Sequence, residues 1–353
     1  MIITLQKNFF SEKEKVFTTH GKITVSTFKF SNGIEALKVE NTKGFVTLLP
    51  FKGQQVWRAE FCGHPLTMKT MFDEPTVSDS FLKTYGAFLI HCGLTAIGNP
   101  TPEDTHLQHG ELPNAAYEKA YITFGEDDNG KYVELSGEYD FIIGFEVGYR
   151  FMPHCRLYEN GTVLNIHNDI INLRSNPLEY FYLCHINFRP IDGSKMVYSA
   201  KKENILMHKD IPDNMPELEK YMEELEKDIT IQNTIDKNSQ YYQPEIVFTV
   251  KYEKDEDGRG YCLQVLPDGY SCMVSHHPEQ LPFGIRWISR GEDEDALGML
   301  LPATAEHHGY IDCMKKGFAK YIEPKGTLSL DFCAGLLEPD QTKDVINKIN
   351  KMI

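Results

Sequence analysis

Apolar and polar side chains alternate with a period of two along most of this chain, as they do in strands with one face turned to a core. Residues 22–30 (KITVSTFKF) carry the pattern first, and 34–41 (IEALKVEN) resume it after Asn32-Gly33. Residues 131–150 follow Asn129-Gly130, and 162–173 (TVLNIHNDIINL) follow Asn160-Gly161. An Asn-Gly pair between alternating runs predicts a hairpin, because both central residues of a type I′ turn need positive φ. Shorter runs at 179–188, 245–252, 260–266, 270–275, 283–289 and 326–335 extend the strand pattern almost to the C-terminus.

Helical spacing is the exception. Leu218, Tyr221, Met222 and Leu225 fall at i, i+3, i+4 and i+7. They predict a helix over Pro216–Asp228, with Pro216 in its first turn and Asp213 as its cap. A short helix is expected from about Asp79 to Tyr85, and another in the last dozen residues, where Val345, Ile346 and Ile349 have helical spacing. The polar segment from about 208 to 240 reads as a partly helical insertion between strands, either a lid or a solvated excursion. No repeat, low-complexity tract or Ser/Gly-rich linker divides the chain. The expected fold is therefore all-β: one large antiparallel β-sandwich over residues 1–353, with a few short helices.

Charge narrows the partners. The chain has 51 acidic residues against 36 basic ones, a formal net charge of −15, which would repel nucleic-acid phosphates and anionic membranes alike. The N-terminus lacks a basic region followed by an apolar run, and no eighteen-residue apolar stretch occurs, so a cytoplasmic protein is expected. The eight cysteines are scattered without a C-x-x-C pair and read as reduced, buried thiols.

The candidate chemistry centres on two histidines, His109 in THLQHGELPNAAYE and His185 in EYFYLCHINFRP. Imidazoles delivered by separate strands can converge on one pocket, and imidazole titrates near neutral pH. Gly110 would let a ligand or another backbone approach His109 closely. Arg58 offers a planar fork of donors for a ligand, or a surface ion pair. Trp57 and Trp287 are the two tryptophans, and an indole face can stack on a ligand or fill a core. Asp192 could orient a hydroxyl or make a turn with Gly193. His106, His109 and Glu111 form H-x-x-H-x-E, whose ligand types suit a divalent transition metal, although further ligands are unassigned. No P-loop, dinucleotide fingerprint or G-x-S-x-G elbow is present.

Three segments together resemble the galactose mutarotase-like superfamily, in its divergent aldose 1-epimerase-like branch. YGAFLIHCGLTAIGNP (85–100) is similar to that branch's glycine-bounded segment, HLQHGELPN (106–114) to its "LHG" motif, and YLCHINFRP (182–190) to its "YHINFG" strand. The resemblance implies a sugar or sugar derivative as ligand, no organic cofactor, and opening and reclosure of a pyranose at its anomeric carbon. It assigns His185 as the acid that protonates the ring oxygen and His109 as a hydrogen-bonding partner of the ligand, and it favours Trp287 as a sugar contact; the guanidinium fork of Arg58 could then hold sugar hydroxyls. The carboxylate departs from the family pattern. After the strand FGIRWISRG the chain reads ALGMLLPATAEHHGY, so Leu301 stands where an acid is expected and Glu306 becomes the candidate base. Glu338, in GLLEP, has the right neighbours but lies too near the C-terminus. Two rivals remain: an isomerase or lyase on a modified sugar, metal-assisted through His106, His109 and Glu111, and a non-catalytic carbohydrate-binding or regulatory protein.

Overall fold

Each Asn-Gly pair closes a hairpin in the computed structural model, which describes residues 1–209 and 214–353. Ile23–Lys29 pairs antiparallel with Glu35–Glu40, Lys119–Asp127 with Gly130–Ile143, and Val147–Tyr158 with Val163–Asn172. The turns differ from the expected type. Gly33 and Gly130 have positive φ, but none of the three asparagines does. Side chains help close two of the turns: Asn32 Oδ1 accepts the Ile34 amide at 3.2 Å, and Asp127 Oδ1 accepts the Asn129 amide at 2.9 Å; at the third, Gly161 donates its amide to the Tyr158 carbonyl at 3.1 Å. Asx closures of this kind remove the need for two left-handed residues. The 131–150 run is two strands, broken at the Gly144–Phe145 turn.

Among the described residues the strands form two sheets, one of nine strands and one of thirteen. Their named ladders are antiparallel, as in a sandwich. A core cluster running from Leu5 to Leu336 lies between and around them. Polar groups also join the layers. Tyr182 Oη, from the larger sheet, accepts Asn168 Nδ2 of the smaller one at 3.1 Å and meets His91 Nδ1 at 2.7 Å.

The helix Pro216–Lys227 buries Leu218, Tyr221, Met222 and Leu225, as its spacing predicts. Met215 occupies its cap position, and Asp213 lies outside the described residues. The segment around it is packed rather than solvated: Gln232 is fully buried and accepts Arg286 Nη1 at 3.0 Å. Between Asp79 and Tyr85 only a 3-10 turn, Leu82–Thr84, forms. The C-terminal helix spans Pro339–Met352 and starts earlier than expected because Glu338 and Gln341 form a capping box. A one-turn-and-a-half helix at Tyr310–Lys315 was not anticipated. All eight cysteines are unpaired. Among the described residues no helix is long and apolar enough to cross a membrane.

Candidate functional site

The pocket floor is one face of four neighbouring strands. Leu178–Ile186 meets Asp295–Ala303, which pairs with Phe283–Arg290, which pairs with Ile246–Val250. Side chains two apart on a strand share a face, so Leu183 and His185 lie together, as do Ile285 and Trp287. Cross-strand pairing adds Leu301 opposite Ile285 and Val247 opposite Trp287. All six line one pocket, whose walls come from Phe81, Tyr85, Asn99, Gln108, His109, Glu245 and His307. Its empty space, counted out through an open mouth into solvent, is about 540 Å³. A second lobe continues past Asn99, Glu245, Val247 and His307 toward His208 and His308.

His109 reaches the pocket through a backbone lock. Its φ is +61° and that of Gly110 is +76°. A Cβ on Gly110 would lie 2.4 Å from the Ala96 carbonyl oxygen and 2.5 Å from that of Gly93, so only glycine fits there. His109 donates its amide to Gly98 O, and its carbonyl accepts the Gly93 amide, each at 2.9 Å. Glu111 then clamps the same loop. Its Oε1 accepts the amides of Leu94 and Thr95 at 3.0 and 3.1 Å and the Tyr149 hydroxyl at 2.5 Å, and its Oε2 accepts the Thr95 hydroxyl at 2.7 Å. Glu111→Gln would turn an NH2 group toward some of these donors. Hydrogen bonds to a charged group are worth about 1.5–3 kcal/mol each. The substitution should therefore lower stability by about 2–4 kcal/mol, read as a lower urea midpoint at unchanged slope. A midpoint unchanged within error would remove the clamp.

The two histidines do converge. Their ring centroids lie 4.8 Å apart, nearly perpendicular, and Trp287 stands 5.8 Å from His185. Both rings are buried. Burial pushes His185 down to about 4, against a smaller opposing effect of its hydrogen bond to Asn187. Burial, then the neighbouring imidazoles His185, His307 and His106, hold His109 well below the usual imidazole range. Both are therefore neutral at physiological pH. His185 Nδ1 lies 3.2 Å from Asn187 Oδ1 and 3.1 Å from Tyr85 Oη. His109 Nδ1 is buried without a hydrogen-bond partner.

The carboxylates sort differently from the expectation. Leu301 does occupy the floor where an acid was sought. Glu306 is buried, but it turns away to Lys316 Nζ at 2.7 Å and does not line the pocket. The carboxylate that does is Glu245, which accepts Trp287 Nε1. Arg58 is also elsewhere. Its guanidinium stacks 4.2 Å from the Trp57 ring and donates to the carbonyls of Trp57, Gly86 and Phe72, tying the 70–86 loop down. Asp192 accepts Arg290 Nη2 at 3.0 Å and the Lys237 amide at 2.9 Å, a structural bracket outside the pocket. Glu338 is occupied as a helix cap and in an ion pair with Lys43.

His106, His109 and Glu111 do not share a coordination point. His106 Nε2 faces the Tyr310 amide at 3.3 Å, and Glu111 is consumed by its loop. Among the described residues, one group has metal-ligand types within 4.8 Å: Glu306, His308 and Asp312. A cation already sits there, since Lys316 Nζ lies 2.7 Å from Glu306 and 2.9 Å from Asp312.

Sequence reading missed Glu245, Tyr85, Asn187 and His307. Asn187 left a usable signal, being two residues beyond His185 on the same strand line. Glu245 left none, because only strand order brings it beside Trp287.

A family model described as "Domain of unknown function (DUF4432)" matches residues 31–333. No curated protein matches the sequence. Among solved structures, a Klebsiella pneumoniae protein provisionally assigned as an aldose 1-epimerase superposes with a TM-score of 0.80 at 16% identity, covering 94% of this chain and 88% of that one. A galactose mutarotase-like protein from Clostridium acetobutylicum gives 0.59 at 13% identity over 90% and 99%. Galactose 1-epimerase from Lactobacillus acidophilus gives 0.55 at 9% identity over 96% and 99%. At such identities the likeness establishes a mutarotase-like β-sandwich fold.

Proposed function

The chain belongs to the family described as Domain of unknown function (DUF4432), and from its pocket we propose that it binds a monosaccharide or sugar derivative and interconverts its anomers. The supporting observation is that two buried imidazoles with centroids 4.8 Å apart share one cleft with an indole and a carboxylate. In this reading Trp287 stacks on the C–H face of the pyranose, and Glu245 accepts hydroxyl protons in hydrogen bonds. A neutral His185 acts as base rather than acid. It takes the anomeric hydroxyl's proton as the bond from the anomeric carbon to the ring oxygen breaks, leaving an aldehyde and a ring-oxygen alkoxide. Side-chain amides of Asn99 and Gln108 stand on the wall to donate to that alkoxide. After rotation of the aldehyde the oxygen adds to its other face, and the proton returns from His185. Protons balance, and the scheme uses no cofactor.

Saturation-transfer NMR across a panel of aldoses tests this. At least one sugar should exchange anomers faster with protein than with buffer. With His185 neutral and pushed down to about 4, the rate should be flat from about pH 8 to 6, since the basic form is already fully populated. A role as acid would instead raise the rate about tenfold for each pH unit lowered, as the protonated fraction grows. No acceleration of any sugar that binds would reduce the protein to a carbohydrate-binding one.

A further inference from the structure

We propose that Asn187 and Tyr85 are positioning residues that hold His185 as the Nδ1–H tautomer, making Nε2 the ring nitrogen that accepts a substrate proton. Proton counting in a closed site carries the argument. Asn187 is fully buried, and its Nδ2 donates to the Ala87 carbonyl at 3.0 Å. A carbonyl can only accept, so the amide orientation is set and Oδ1 is the atom facing Tyr85 and His185. The Tyr85 hydroxyl has one proton, and it goes to Asn187 Oδ1 at 2.7 Å. Tyr85 Oη, 3.1 Å from His185 Nδ1, is then left with lone pairs on that side. His185 Nδ1 thus faces two acceptors, Asn187 Oδ1 at 3.2 Å and Tyr85 Oη at 3.1 Å. A lone pair on Nδ1 would be repelled by Asn187 Oδ1, whereas an N–H satisfies the buried oxygens. The neutral ring has one proton, so placing it on Nδ1 leaves Nε2 bare.

Backbone geometry keeps the arrangement rigid. Asn187 donates its amide to Phe88 O at 2.7 Å and accepts the Met68 amide at 2.9 Å. Tyr85 packs with its ring centroid 5.5 Å from His185 and 5.6 Å from Trp287, edge-on to both. The inference rests on the anomer-interconverting reading for what Nε2 does, but not for where the proton resides.

Nitrogen-15 NMR of the full-length protein at neutral pH separates the two. A one-bond N–H coupling should appear at His185 Nδ1 and none at Nε2. A proton on Nε2 in the unsubstituted protein would overturn the proposal without any sugar being added. Tautomer as expected with no sugar turned over would instead sink the functional reading alone. In Asn187→Leu, which removes the oxygen at similar volume, the proton should shift toward Nε2. The turnover rate should fall about 10²-fold, the scale of a lost general base, with KM changed less than threefold. Asn187→Asp should raise the His185 pKa by placing a carboxylate beside it. The flat pH profile would then acquire a falling acid limb within the assayed range. Tyr85→Phe, which keeps the ring, should cost about three- to tenfold in rate. Unchanged pH profile in Asn187→Asp, with the protein folded, would also overturn the positioning role.

Discussion

Acidification from about pH 6.5 to 4.5 should unfold this protein cooperatively, starting above the range in which most carboxylates protonate. Four imidazoles are held low by burial: His91 to about 3, His276 to about 3, His307 to about 2 and His185 to about 4. His109 is held well below the usual range by burial and by its imidazole neighbours. The unfolded chain takes up these protons near pH 6.5 while the native one does not, so stability falls as pH drops. The loss begins at the unfolded value and continues down to each folded one. Each group removes about 1.4 kcal/mol per pH unit in that window, or about 2–3 kcal/mol by pH 4.5. Several together approach the roughly 5–15 kcal/mol that holds a typical domain. His167 works the other way: burial opposes its charge, but Asp331 and Asp169 outweigh burial and raise it. It is one half-exposed group against five. Far-UV circular dichroism during acid titration should show a midpoint between about pH 4 and 5.5, with uptake of about three or more protons across the transition. His276, both of whose ring nitrogens are buried without partners, gives the control: His276→Phe should move the midpoint to lower pH and reduce the uptake by about one proton. A native spectrum retained at pH 4 would show that these rings are not held neutral.

Replacing His185 by Asn should slow anomer exchange by about 10²–10⁴-fold, the range for loss of a positioned base. Sugar binding should persist within about tenfold, because Trp287, Glu245 and the wall amides are untouched. Glu306→Gln is the informative companion. A base at Glu306 would make that variant inactive, whereas its pairing with Lys316 at 2.7 Å makes it structural. The rate should then stay within about twofold while stability falls by no more than about 1 kcal/mol, because the Lys316 end of the pair is exposed. Exchange rates and urea midpoints measured on both variants decide the matter. Activity retained in His185→Asn, or lost in Glu306→Gln with the fold intact, would reverse the assignment of roles.

The legible part of this protein was local. Period-two alternation specified the strands, because a strand's faces are set by successive residues alone, and the Asn-Gly pairs announced their hairpins even though none is built on paired left-handed residues. The Leu218, Tyr221, Met222 and Leu225 stripe likewise marked a buried helix face. His109 and His185 could be singled out because Gly110 and the aromatic strand around His185 sit beside them in the chain. The partners of those histidines were decided in three dimensions. Glu306, five residues past the expected position at Leu301, was the nearest acid along the sequence but is captured by Lys316, ten residues on, after a turn into a helix. Glu245 had no local mark and enters the pocket because its strand pairs with that of Trp287, 42 residues away. Arg58 looked like a ligand fork until two carbonyls from the 70–86 loop, with that of its neighbour Trp57, claimed it. Alternation dictates which face a side chain takes, since that is a property of one strand. Which charge stands opposite an imidazole depends on sheet order and loop closure, which arise only when distant segments bury their apolar faces together.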